Sequence, residues 1–180
     1  MPECYLRVGA AQRLAEAAGA LPAGWRFVVY DGWRPVAVQQ ALYAGYQALL
    51  RQQHPDWTAA VLDEATRRYV ALPSTDPARP SPHLTGGTVD LSLLDAAGRP
   101  VEMGTAFDAF EPAAHTIYFE RQLAKQGTLP PHDQAALHHR RLLYHTLTRA
   151  GFTNYPEEWW HYEHGRSRYG PILSLEGRLA

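Results

Sequence analysis

The chain has 180 residues, 46% of them apolar, a formal net charge of −1 and one cysteine, Cys4. That length fits a single domain over residues 1–180 with a substantial core. Scattered arginines argue against a nucleic-acid or anionic-membrane partner, a lone cysteine excludes an intramolecular disulfide, and no apolar run reaches the length of a membrane span. Glu3 falls early and no long apolar stretch follows, so the expected location is cytoplasmic, with the periplasm left open.

Taken in order, residues 8–19 read as a short amphipathic helix stopped by Gly19. Trp25 to Tyr30 carries an apolar strand signal that ends at Asp31-Gly32. Pro35 suits a first helical turn, and Val36 to Gln53 continues at helical spacing. A further helix is predicted from Trp57 to Tyr69, with Asp56 as its cap. A loop holding Pro73, Pro77, Pro80 and Pro82 follows, long enough to be functional. Val89 to Leu93 alternates apolar and polar, the period of a half-buried strand, with Val89, Leu91 and Leu93 on one face and Asp90 and Ser92 on the other. Residues 103–116 are irregular, two helices are predicted near 117–126 and 132–150, and a hairpin across Pro156 closes the pattern. This order predicts an α+β domain, with helices packed on one side of a small, mostly antiparallel sheet.

The chemistry concentrates in three stretches. Pro156-Glu157-Glu158-Trp159-Trp160-His161 puts a carboxylate three residues before a histidine. A hydrolytic metal site needs a neutral imidazole on the metal, an unliganded carboxylate to take a proton from water, and shielding from solvent. Residues 158 and 161 of an extended strand would face opposite ways, so a turn must intervene, and Pro156 makes one plausible. Upstream, Gly86-Gly87 allows a sharp turn that brings His83 back beside Asp90. His83, Asp90 and His161 then form a nitrogen and oxygen set suited to one catalytic Zn²⁺ with a water position open. The third stretch, Asp31-Gly32-Trp33-Arg34-Pro35, places an arginine at a strand end, where it can stabilise charge on a carbonyl oxygen or form a structural ion pair. His138, His139 and His145 read as solvated, His54, His115 and His132 as loop or helix-end residues, and His164 as a candidate support for the site. Trp159 and Trp160 read as packing residues.

These motifs, in this order, resemble the zinc D-alanyl-D-alanine dipeptidases of the vancomycin-resistance type, related to zinc D-Ala-D-Ala carboxypeptidases. The chain has DGWRP at 31–35, SPHLTGGTVD at 81–90 and EWWH at 158–161. The resemblance implies an antiparallel sheet with zinc on its open face, as in the zinc DD-peptidase and hedgehog-like folds. It selects Glu158 over Glu157 as general base and acid, favours Arg34 as the oxyanion group, and implies Asp108 and Ser81 as substrate-binding residues. It implies a small peptide substrate, D-Ala-D-Ala or a peptidoglycan fragment, and leaves homodimerisation open. Family members usually carry several dozen more residues before the first motif, whereas here only residues 1–30 precede it. That difference admits a more open pocket, and with it a carboxypeptidase or endopeptidase acting on peptidoglycan stem peptides. A non-catalytic zinc-binding module for cell-wall peptides is the reading from another class, and an intact Glu158 argues against it.

Overall fold

A computed structural model describes residues 3–76 and 78–165. Helix α1 (Val8–Gly19) is amphipathic as expected, but its buried stripe is Ala10, Leu14 and Ala17, rotated from the Val8, Ala11, Leu14, Ala15 and Ala18 side expected from spacing, of which only Leu14 is buried. Strand β1 (Arg26–Asp31) follows, then helices α2 (Val36–Gln53) and α3 (Ala59–Tyr69). The α3 cap is Thr58, whose Oγ1 accepts a hydrogen bond from the Val61 N–H at 3.3 Å. Asp56, the cap expected from sequence, lies two residues before the actual cap, since the helix begins only at Ala59. Strand β2 (Thr88–Leu94), helices α4 (Tyr118–Gln126) and α5 (Pro131–Arg149), and strands β3 (Phe152–Asn154) and β4 (His161–His164) complete the order.

The four strands form one antiparallel sheet in the order β1-β2-β4-β3. Its apolar face presents Val89, Leu91 and Leu93, which pack in one cluster with Leu14 of α1, Leu143 and Leu147 of α5, Trp159, Trp160 and Tyr162. Both tryptophans are therefore core residues, as their sequence setting predicted. The opposite face carries Asp90, and the wall in front of it is built by α2 and α3. That covering changes the character of β2. Alternation predicted a half-buried strand, yet Asp90 and Ser92 are buried along with Leu91 between them.

Register decides which residues reach the polar face. Val29 pairs with Leu91, but an irregularity between Val29 and Asp31 makes Asp31, not Tyr30, the partner of Asp90. An inserted residue of this kind swaps every later side chain to the other face. The bulge thus puts Asp31 beside Asp90, and Tyr30 instead stacks on Phe107 at 4.4 Å between centroids.

Candidate metal centre and active-site pocket

His83 lies in a short 3-10 helix, Pro82–Thr85, which ends at Gly86 in the left-handed region (φ 67°). A side chain is strained there. The next glycine is set by space: a Cβ on Gly87 would lie 2.2 Å from Arg7 Nη2 and 2.9 Å from the His164 carbonyl oxygen. The expected turn therefore exists, and it returns His83 to Asp90, with His83 Nε2 3.2 Å from Asp90 Oδ2. Across the sheet, Asp90 is the direct partner of His161, whose Nδ1 sits 3.1 Å from Asp90 Oδ1. One ligand atom from each of His83, Asp90 and His161 lies within 4.8 Å of the others, and all three residues are buried.

The two imidazoles are oriented by their far nitrogens. His83 Nδ1 is 2.7 Å from the Gly32 carbonyl oxygen, to which it can only donate, so Nε2 keeps its lone pair. His161 Nε2 is 3.3 Å from Glu163 Oε1, and donation there leaves the Nδ1 lone pair toward Asp90. Asp90 Oδ1 is buried and no hydrogen bond satisfies it. Two imidazole lone pairs and an unsatisfied carboxylate oxygen converging at one point are a donor set for zinc. His164, considered as a support from sequence, packs its ring on Phe152 instead, and Glu163 holds the supporting position.

Charge around this point favours a cation. Burial works against the charged form of His161, but the carboxylates of Asp90, Glu163 and Glu158 more than offset it and raise its pKa to about 10. Asp90 keeps its charge despite burial because His83 and His161 adjoin it, and its pKa falls well below the usual carboxylate range. Burial pushes Glu158 up to about 7, with Asp90 and Asp108 adding repulsion against the attraction of His161 and Arg34. Asp108 rises to about 6, through lost hydration first and then repulsion from Asp90 and Asp31. As a residue Asp108 stays exposed, so water limits the first of these effects.

Glu158 lies in the turn between β3 and β4, where its N–H bonds to the Tyr155 carbonyl at 3.1 Å. That turn is what lets residues 158 and 161 serve one place: Glu158 Oε2 is 3.6 Å from His161 Nδ1. Arg34 is held on two sides. Its Nε and Nη2 donate to Asp31 Oδ2 at 2.9 and 2.6 Å, and its Nη1 donates to Gln39 Oε1 at 2.7 Å. Nη2 also comes within 3.9 Å of Asp90 Oδ2. The two sequence readings of Arg34 are compatible, because a guanidinium has five N–H donors and the ion pair leaves some for the pocket.

Arg34, His83, Asp90, Asp108, Glu158 and His161 all line one pocket of about 390 Å³. Asp108 is the one non-glycine residue among those described with positive φ, at 58°. Such strain tends to gather at binding sites. Ser81 departs from its expected place. Its hydroxyl is buried, donating to the Leu72 carbonyl and accepting from the Ser74 N–H, both at 2.9 Å, and the pocket wall beside it is Pro82. The hydroxyl closes the proline-rich loop, a task invisible without that loop's path. Sequence reasoning also missed Gln39, Glu163 and the Gly32 carbonyl: Gln39 belongs to no motif, and the DGWRP motif that holds Gly32 gives no sign that its carbonyl meets His83.

An antiparallel sheet that presents two histidines, an aspartate and an unliganded glutamate in one pocket defines a zinc metallopeptidase. The chain belongs to the D-ala-D-ala dipeptidase family, whose model matches residues 3–173. It is 29% identical over 171 residues to a D-alanyl-D-alanine dipeptidase of Synechocystis sp., covering 89% of this chain and 69% of that protein. To a D-alanyl-D-alanine dipeptidase of Escherichia coli it is 32% identical over 172 residues, covering 95% and 72%. Its fold is similar to that of a mutant vancomycin-resistance D,D-pentapeptidase, VanY, from a VanB-type cassette in complex with Zn(II): TM-score 0.52, 19% identity, 88% of this chain and 72% of that one.

Proposed function

We propose that this protein hydrolyses D-Ala-D-Ala and similar short dipeptides with one zinc ion held by His83, Asp90 and His161. The observation that carries this reading is the convergence of three buried ligand atoms within 4.8 Å, with the Glu158 carboxylate 3.6 Å from His161 and not among them. When bound, zinc supplies Lewis-acid polarisation of the scissile carbonyl and lowers the pKa of a water toward ~7.

The chain's own residues do the rest. Glu158, poised by burial near neutrality, takes a proton from the attacking water at its carboxylate and returns it to the departing nitrogen. Arg34, fixed by Asp31 and Gln39, offers its remaining N–H groups to the oxygen that gains charge. Asp108 pairs the substrate's free ammonium group, which limits cleavage to peptides whose amino terminus lies next to the scissile bond. Trp159 and Trp160 close the core behind Glu158 and His161 and keep water from that side.

The test is hydrolysis of D-Ala-D-Ala and of a stem pentapeptide by the purified protein, with and without zinc. Turnover of the dipeptide only in the zinc form, well above that of the pentapeptide, is the expected result. Faster trimming of the pentapeptide would assign a carboxypeptidase, and tight zinc binding without turnover of either would assign a binding module.

A further inference from the structure

The pocket does not end at the metal ligands. It continues along α2 and α3, where its wall is Tyr46, Tyr69 and Phe110. Phe110 meets Tyr46 edge-on at 4.9 Å and Tyr69 at 5.2 Å between centroids, and the two tyrosines are 6.3 Å apart. One ring comes from each of three separate segments, α2, α3 and the loop after Asp108, and all three remain half-buried. Packing among themselves has not removed them from the pocket surface.

The helix beside them leaves space. Ala41 and Gly45 of α2 line the same wall, and a Cβ built on Gly45 meets no atom within 4 Å. Glycine inside a helix costs ~1 kcal/mol relative to alanine. Packing does not require it here, so the effect of Gly45 is to keep that stretch of wall open. Arg68, which also lines this pocket, places its Cζ 5.8 Å from the Tyr69 ring centroid. A cavity of about 390 Å³ is in the range that takes ligands well above the size of dialanine.

We infer that the Tyr46–Tyr69–Phe110 wall and the space at Gly45 form a side-chain subsite, and that the preferred substrates are dipeptides bearing one large apolar or aromatic side chain. The inference rests on the dipeptidase reading above and specifies its substrate. Edge-to-face contact with a substrate ring and burial of its apolar surface supply the selectivity.

The experiment compares kcat/KM of the zinc enzyme for D-Ala-D-Ala, D-Phe-D-Ala and D-Ala-D-Phe, in the wild type, Gly45→Leu and Phe110→Ala. Gly45→Leu fills the space with a better helix former, so loss of the fold does not confuse its result. The expected outcome is a preference of roughly tenfold or more for one phenylalanine dipeptide over dialanine, a size typical of a filled apolar pocket. That ratio should collapse toward unity in Gly45→Leu and fall in Phe110→Ala. Calorimetric titration of each dipeptide into zinc-loaded Glu158→Gln gives the same comparison as binding, independent of turnover. Dialanine preferred over both phenylalanine dipeptides, or a preference that survives Gly45→Leu, overturns the subsite while leaving the dipeptidase reading intact. Failure of all three dipeptides to be cleaved, with binding still favouring phenylalanine, overturns the catalytic reading and leaves the subsite standing.

Discussion

Gln39 and Arg34 are joined by a 2.7 Å hydrogen bond, and the other end of the Gln39 amide donates to the Ala71 carbonyl at 2.8 Å. Gln39 is one of only two buried residues on α2, the other being Leu50. A helix that otherwise buries so little thus commits a glutamine to the space between the arginine and the irregular chain just after α3. With both amide ends used, the guanidinium is held on the side opposite Asp31. Gln39→Leu should leave Arg34 bound to Asp31 but free to tilt, and leave the Ala71 carbonyl unpaired at a stability cost of ~1–3 kcal/mol. The expected kinetic result is a fall in kcat much larger than the change in KM, with zinc content unchanged. A rise in KM alone would show that Arg34 anchors the ground state instead.

Glu158→Gln preserves shape and removes the group that moves protons. The variant should bind zinc as the wild type does and lose roughly 10²–10⁴ in kcat, the usual contribution of a general base. Zinc content measured by atomic absorption alongside the kinetics decides the point, because loss of the metal would make Glu158 a ligand.

Glu163 orients His161 through the 3.3 Å contact at Nε2. Glu163→Gln leaves the three ligands in place but removes the carboxylate that fixes the His161 tautomer. Partners of this kind typically contribute ~10–100-fold in metal affinity or activity. Competition against a zinc indicator should show weaker binding, and His164→Gln, whose parent ring packs on Phe152, should show none.

Asp108→Asn keeps the size of the side chain and removes its charge. Water reaches Asp108, so losing its charge costs less than losing one partner of a fully buried pair, and kcat/KM for D-Ala-D-Ala should fall by roughly threefold to tenfold. N-acetyl-D-Ala-D-Ala should be a poor substrate for both proteins. Equal rates on the free and acetylated dipeptides in the wild type would remove Asp108 from ammonium recognition.

The ligand set could be read before any coordinates because it rests on residue types in short, ordered motifs. The period-two pattern of Val89 to Leu93 already put Asp90 on the face away from the leucines, and the paired glycines before it allowed the turn that brings His83 back to Asp90. The need for a turn at Glu158 followed from strand geometry alone, and the turn is there. These are local properties, fixed by neighbours along the chain. What the tertiary structure decided was pairing across it. Asp90 faces His161 because β2 and β4 pair in that register, and Asp31 reaches Asp90 only through the bulge at Tyr30. Gln39 reaches Arg34 and Ala71 because α2 stands over the polar face, and the Gly32 carbonyl fixes His83 from 51 positions away. Ser81 was misplaced for the same reason: its hydroxyl is consumed by Leu72 and Ser74 across a loop with no periodic signal. Thr58 rather than Asp56 caps α3, and both are good cap residues, so cap propensity alone does not separate them. Hydrogen bonds and apolar contacts between distant segments depend on register, strand order and helix placement, and a single sequence specifies those only through the fold as a whole.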